Sequence, residues 1–192
     1  MAALADRLPG PAALHLVFFF VLAGELAEAF AWMGNYTKAA PTPGLLHPQL
    51  CANAILAIGL YVGWAFAWLI VLRWYRFSLT EAFLITGFQA IFFEGLGQVF
   101  MRMVAVFPSN PLLALMMGLW VFAVHASVVG LAMIPVIHRL DNPAKSRHWS
   151  RFPVAVVLAV ALAILGCELM GRLTLLFGGL PPKRSIVEHP FW

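Results

Sequence analysis

The sequence predicts an all-α membrane protein: one domain over residues 1–192, folded as a bundle of five transmembrane helices. The composition is 62% hydrophobic and only 10% charged, with a mean hydropathy of +0.90, whereas soluble domains carry about 25% charged residues. Apolar segments of the roughly 20 residues that a helix needs to cross a bilayer recur five times. With 192 residues, the chain has no room for a sizeable soluble domain, so any site lies in the membrane or at its edge.

The first two predicted spans are residues 11–34 and 50–74, separated by a proline-rich loop. Glu25 and Glu28 stand three residues apart in the first span and therefore share one helical face. In the second span, Gly59 and Gly63 are four residues apart, a spacing that lets a neighbouring helix approach closely.

The third predicted span, residues 79–107, carries Glu94 near its middle. An ionised carboxylate at that depth costs about 2.5–3.5 kcal/mol on insertion scales. Residues 108–111 predict a tight turn, so the third and fourth spans are expected to be antiparallel neighbours. The fourth span, residues 112–138, places His125 near its centre, and the fifth, residues 153–178, carries Glu168 and Arg172 one turn apart.

The distribution of Lys and Arg predicts the orientation. With five spans, the N-terminus, the second loop and the fourth loop share one side, and the opposite side carries Lys38, Lys183 and Arg184. The side with the N-terminus carries more basic residues than the opposite side, which favours an inside N-terminus and an outside C-terminus. The basic residues of this side are Arg7, Arg73, Arg76, Arg139, Lys145, Arg147 and Arg151.

Four polar side chains fall at similar depth in four different spans, which predicts a polar layer inside the bundle. They are Glu25, Glu94, His125 and Glu168, with Glu28 one turn from Glu25. Arg102 and Arg172 lie two turns and one turn from the glutamates of their own spans. Pairing with these bases would lower the cost of burying the carboxylates.

The layer has several interpretations. Hydrogen bonds between helices can simply hold the bundle together, whereas Glu and His chains also form proton pathways. Glu25, Glu94, His125 and Glu168 match a hard-ligand metal or catalytic site in number, but the Glu-x-x-His pattern of di-iron bundles is absent. Binding of a lipid or quinone headgroup is a further interpretation.

Several short segments resemble subunit III of the haem–copper oxidases, in its compact five-span form or a relative linked to nitric-oxide reduction. In the first span the segment ending at Glu25, with Phe30 beyond it, is similar to the family's Phe-Leu-x-Ser-Glu and following aromatic. Asn53 opens the second span as in the family. The remaining similar positions are Thr86, Gly87, Gln89 and Glu94 in the third span and Phe122, His125 and Gly130 in the fourth.

This resemblance implies a non-redox accessory subunit of a membrane respiratory complex in the bacterial inner membrane. Such a subunit flanks other integral membrane subunits, binds phospholipid and supports proton uptake through buried carboxylates, here Glu25 and Glu94. No redox cofactor or catalytic activity of its own is expected. Nucleic acid is not an expected partner, because the basic residues lie in short loops. A stand-alone intramembrane enzyme or metal-binding protein and a proton-coupled carrier are the alternatives.

Overall fold

The computed structural model describes residues 10–41, 43–140 and 144–192, and this part of the chain contains helices but no β-strand. The predicted all-α class is confirmed. Four helices are long and apolar enough to cross a membrane, and a fifth crossing results if one bent helix pair is a single span. The helices are α1 (Ala12–Thr37), α2 (Leu50–Trp74), α3 (Leu79–Phe93), α4 (Gln98–Val106), α5 (Pro111–Met133), α6 (Ile137–Leu140) and α7 (Arg151–Thr174).

The segment predicted as one continuous third span is broken at its polar residue. Helix α3 ends at Phe93, the tight 3₁₀ turn Glu94–Gly97 follows, and α4 leaves at an angle of 75° to α3. Glu94 itself adopts an extended backbone with ψ 134°, and Gly95 and Gly97 take positive φ values of 57° and 87°. Glycine adopts this left-handed region without the steric cost that other residues incur. The two glycines therefore permit the break.

The predicted fourth span also ends early. Helix α5 ends at Met133, and a turn leads to the short helix α6. Pro135 lies in this turn and has no backbone N–H to continue the helical hydrogen bonding. The helical segment predicted to reach residue 138 is therefore divided in two.

Helix α2 packs between α1 and α7 and is the most buried of the four long helices. At the α2–α7 contact a Cβ added to Gly59 would collide with the Gly166 carbonyl, and one added to Gly63 with the Leu162 carbonyl. The close approach predicted from Gly59 and Gly63 is therefore confirmed. Helices α3 and α5 pack side by side, as predicted, with Gly87 against the Phe122 ring.

Polar contacts tie together what we call the first end of the bundle, where α1 begins and α2 ends. Arg139 donates to the Gly10 carbonyl at 3.0 Å. Arg151, the first residue of α7, donates to Glu81 near the start of α3 at 2.6 Å. Lys145 donates to the last-turn carbonyl of Leu72. The loops at this end are thus fixed by basic side chains.

The opposite end, which we call the second end, lies where α1 ends and α2 begins. The C-terminal tail, residues 180–192, folds over it: the Leu50 amide donates to the Pro190 carbonyl at 2.9 Å and the Cys51 amide to the Phe191 carbonyl at 3.2 Å. These bonds satisfy amides that the first turn of a helix leaves unpaired. Gly10 and the C-terminal tail therefore lie at opposite ends of the bundle.

Candidate functional site

The break between α3 and α4 holds a carboxylate–imidazole pair. His125 Nε2 on α5 lies 3.3 Å from Glu94 Oε2. The other ring nitrogen, Nδ1, lies 3.0 Å from the Val121 carbonyl and donates to it. Since Nδ1 keeps its proton, Nε2 is the nitrogen that gains or loses one toward Glu94. Nε2 is therefore the ring nitrogen that faces the Glu94 carboxylate.

The position of Glu94 follows from the way α3 ends. Its amide still donates to the Ala90 carbonyl, which makes Glu94 the residue that closes the helix. The C-terminal end of a helix carries a partial negative charge, which disfavours a carboxylate and favours a nearby cation. His125 supplies a group that can be cationic. The local backbone therefore favours an imidazole beside Glu94.

A second polar group lies between α1 and the first half of α2. Glu28 accepts hydrogen bonds from Asn53 Nδ2 at 3.0 Å and from the Tyr61 hydroxyl at 3.3 Å. Asn53 is fully buried, and its Oδ1 accepts from the His47 amide at 3.1 Å. A continuous line of hydrogen bonds thus runs from the loop at the second end to Tyr61.

Glu25 and Trp64 lie beside this group with unpaired polar atoms. Glu25 Oε1 and Trp64 Nε1 are buried without a hydrogen-bond partner among the described residues. Glu25 follows Gly24, whose Cα packs against the Tyr61 ring. Buried polar atoms without partners are rare because burying them is costly, and they often mark functional sites.

Aromatic rings connect the two polar groups. The Trp64 ring stacks on Tyr61 with centroids 6.0 Å apart and lies 6.0 Å from the His125 ring. Only 5% of Trp64 is exposed. Together these side chains form what we call the inner polar cluster, which consists of Glu25, Glu28, Asn53, Tyr61, Trp64, Glu94 and His125.

The structure brings together only part of the predicted polar layer. Glu25, Glu28, Glu94 and His125 belong to the inner polar cluster, but Glu168 does not. Gly166, two residues earlier on α7, packs against Gly59, so Glu168 points away from the bundle and is exposed. The four-residue metal site is therefore not assembled, and no group of three or more His, Cys, Asp or Glu side chains among the described residues is placed to hold a metal ion.

The two predicted arginine partners are also elsewhere. Arg102 lies exposed on α4, which the break directs away from α3, and Arg172 lies exposed on the outer face of α7. Neither forms an ion pair in the part of the chain that the structure describes. His125, Asn53 and Tyr61 contact the carboxylates instead.

Tyr61 is not among the site residues predicted from the sequence, and the contacts of Asn53 and Trp64 within the site were not predicted either. Tyr61 stands eight positions after Asn53 on α2, and Trp64 stands three positions after Tyr61. This spacing places the three residues along one side of the helix. A search for polar and aromatic groups on one face of each span, rather than for charged residues alone, could have found them.

The tail over the second end is held by side chains of the preceding loop. His47 is buried; its Nε2 lies 3.0 Å from the Pro181 carbonyl and its Nδ1 3.2 Å from the Gln49 amide, from which it accepts. Gln49, also fully buried, donates to the Arg184 and His189 carbonyls at 3.2 and 2.9 Å. Burial lowers the pKa of His47 below its usual 6.5, with a smaller contribution from Lys183. The tail thus covers the outer end of the hydrogen-bond line that leads to Glu28.

Comparison of this chain with protein-family models, curated proteins and solved structures finds no match.

Proposed function

We propose that the chain is an integral membrane protein that crosses the bilayer five times and moves protons through its inner polar cluster. The observation that carries this proposal is the Glu94–His125 pair, joined at 3.3 Å where an apolar helix is broken. Ionisable side chains inside membrane segments are costly, and proton relays are a common reason for their presence.

The proton route begins at the second end and ends at the helix break. Glu28, whose carboxylate is held by Asn53, receives a proton from water on the loop side. It passes this proton to the Tyr61 oxygen while the Tyr61 hydroxyl releases its own proton to the next acceptor. Glu25, beside Tyr61, is the next acceptor. A water then carries the proton to His125 Nε2, because Nδ1 is held by the Val121 carbonyl, and Nε2 passes it to Glu94. The Glu94 side chain is 41% exposed, so Glu94 can pass the proton to water that reaches the break from the first end of the bundle.

The proposal assigns a mechanical role to the glycines of the break. Between Glu25 and His125 the route passes the Trp64 ring, and a water or a side-chain movement has to bridge this gap. Gly95 and Gly97 lie in the turn that Glu94 begins, and both have left-handed backbone dihedral angles. Rotation about these two residues would move the Glu94 carboxylate between His125 and the bundle surface.

The accessory-subunit function in a respiratory oxidase complex stays a prediction that rests on the sequence resemblance. Proton uptake through Glu25 and Glu94 is the part of it that the inner polar cluster supports. A proton-coupled carrier is the second candidate, because carriers bind ions and substrates at discontinuous helices such as the α3–α4 pair. The carrier predicts proton flux that depends on an added substrate.

Proton flux in liposomes tests the proposal. The purified protein is reconstituted with a pH-sensitive dye inside the vesicles, and a potassium diffusion potential drives proton entry. We expect the interior of wild-type vesicles to acidify at least about tenfold faster than that of Glu94→Gln vesicles. The side-chain amide at position 94 of this variant cannot accept and release a proton. Glu188→Gln is the matched control, since Glu188 is exposed on the tail, and it should retain the wild-type rate.

Equal rates for the wild type and Glu94→Gln would contradict the proposal. A rate that rises only when one solute of a panel is added would favour the carrier instead. Co-purification of the chain with a haem-bearing complex would support the accessory-subunit prediction.

A further inference from the structure

Helix α7 is the least buried of the four long helices, with only 11% of its most apolar stretch buried, and its outer face is exposed. The face consists of a stripe at intervals of three and four residues, along one side of the helix. Val157 and Leu165 are 64% and 60% exposed, and Leu169 is 56% exposed. The members of this outer stripe are Val157, Ala161, Ile164, Leu165, Glu168, Leu169 and Arg172.

Two opposite charges interrupt the outer stripe. Glu168 and Arg172 line a hollow together with Ala161, Leu165 and Leu169. If the helical segment Arg151–Phe177 spans the bilayer, Glu168 lies about 6 Å and Arg172 about 12 Å from its midpoint at 1.5 Å per residue. Arg172 is close enough to the headgroups for its long side chain to reach them, but Glu168 remains within the hydrocarbon layer. Lipid tails offer Glu168 no counter-charge.

We propose that this outer stripe is a homodimer interface, in which each Glu168 pairs with Arg172 of a second copy of the chain. A two-fold axis along the membrane normal places two α7 helices side by side with the same patch on both. The Arg172 side chain points toward the N-terminal end of its helix, which brings the guanidinium to the level of the other copy's Glu168 one turn away. The two pairs form reciprocally, and the small Ala161 lets the helices approach.

The charges of the stripe favour a second copy over other occupants. The stripe carries one acid and one base at a spacing of one turn, so it complements itself. Neither residue has an ion pair in the described part of the chain. The proposal depends on α7 crossing the membrane but not on proton transfer by the inner polar cluster, none of whose residues lies on α7.

Charge reversal tests the interface. The readout is disulfide cross-linking of Leu165→Cys in membranes, with Cys51 and Cys167 replaced by alanine, together with the mass of the particle in nanodiscs. We expect the parent to cross-link as a dimer, and Glu168→Lys or Arg172→Glu alone to reduce this at least tenfold. The double variant Glu168→Lys with Arg172→Glu should restore it, because the pairs form again with exchanged signs. Glu188→Lys, an exposed reversal on the tail, should leave it unchanged.

Co-expression of the two single variants provides a second test that controls for misfolding. The Glu168→Lys chain then carries two positive charges at positions 168 and 172, and the Arg172→Glu chain carries two negative charges there. We therefore expect the two chains to form heterodimers, while each variant alone remains monomeric. A parent that stays monomeric at every protein-to-lipid ratio would overturn the proposal. The proposal would also be overturned if neither single charge reversal changed the extent of cross-linking, or if the chain cross-linked only to a different protein. Proton flux by a chain that forms no dimers would refute the proposed interface but not the proposed function. Dimers without proton flux would refute the proposed function but not the interface.

Discussion

At the scale of single residues, two carboxylates of the inner polar cluster contact side chains of other helices. Glu28 contacts Asn53 and Tyr61, and Glu94 contacts His125. Removing one partner of a buried polar contact leaves the other unsatisfied, which costs more than the contact itself contributes. The inner polar cluster therefore contributes to the stability of the bundle as well as to its chemistry.

Replacing Asn53 tests this dependence. Asn53→Ala removes the bonds to the His47 amide and to Glu28, and we expect the free energy of unfolding to fall by about 1–3 kcal/mol. Titration with a denaturing detergent, followed by circular dichroism, measures the change. Asn35→Ala is the control, because Asn35 is half-buried and its side-chain amide donates to the Ala31 carbonyl of its own helix, in an exposed hydrogen bond. A loss no larger than that of Asn35→Ala would show that the Asn53 bonds contribute nothing.

The sequence also shows why only part of the site could be predicted at this scale. Glu25, Glu28, Glu94 and His125 stand out because charged or basic side chains are rare in apolar segments. Whether Glu168 joins them depends on which face of α7 meets α2, and that is decided by Gly59, Gly63 and Gly166. Spacing along the sequence shows which residues are neighbours on one helix, but not how that helix is rotated in the bundle. The prediction from depth alone therefore placed Glu168 in the polar layer, although the residue lies outside it.

At the scale of helices, the contact between α2 and α7 depends on glycine. Gly63→Ala would push a methyl group into the Leu162 carbonyl, and we expect about 1–3 kcal/mol of destabilisation because backbone has to move. The same detergent titration measures it. Gly34→Ala on α1 meets no atom within 4 Å and should stabilise the helix by about 0.5–1 kcal/mol. Equal effects of the two substitutions would contradict this account of the α2–α7 contact.

The docking of the C-terminal tail is expected to depend on pH. The folded state lowers the pKa of His47, so the undocked state binds more protons below the usual value of 6.5. The docking free energy is therefore intact above about pH 6.5 and falls as the pH drops toward the folded pKa. A proton on Nδ1 would also face the Gln49 amide, which is itself a donor.

Hydrogen exchange measures this docking directly. Exchange at the amides of Leu50 and Cys51, corrected for its intrinsic pH dependence, should accelerate as the pH falls from 7.5 to 5. His47→Gln should remove most of that dependence, whereas His148→Gln, on an exposed loop at the first end, should not. A corrected rate that stays flat in the wild type would contradict a role for His47.

The helices themselves were predictable, but their interruptions were less so. Long apolar runs between basic loops fix α1, α2, α5 and α7 to within a few residues. The break at Glu94 was hidden because the segment from residue 79 to 107 is long and apolar enough for one span, although it contains polar residues such as Glu94 and Arg102. Gly95 and Gly97, which follow Glu94, were the available signal, since two glycines next to a carboxylate in an apolar segment allow a turn that lets the carboxylate meet a partner.

At the scale of the whole molecule, five crossings follow if α3 and α4 together form one span. Gly10 and the C-terminal tail lie at opposite ends of the bundle, an arrangement that an odd number of crossings produces. The excess of Lys and Arg in the loops of the first end then predicts that this end is inside. Arg7, which the prediction also counts, lies outside the described residues.

Cysteine labelling in intact cells tests this orientation. In a chain without Cys51 and Cys167, Ser185→Cys on the tail should react with a membrane-impermeant maleimide, whereas Ser146→Cys at the first end should react only after the cells are opened. Both positions are exposed. Labelling of both from the same side would indicate four crossings, with α3 and α4 forming a re-entrant segment.

The central claim is that Glu94 and His125 act as one proton-transfer unit, and the proton flux of a double-variant cycle tests it most directly. Residues that act as a unit show strongly non-additive losses. We therefore predict that Glu94→Gln, His125→Gln and the double variant all reduce liposome proton flux by the same factor, at least about tenfold. Losses that multiply in the double variant, or a wild-type flux in any of the three, would contradict the claim.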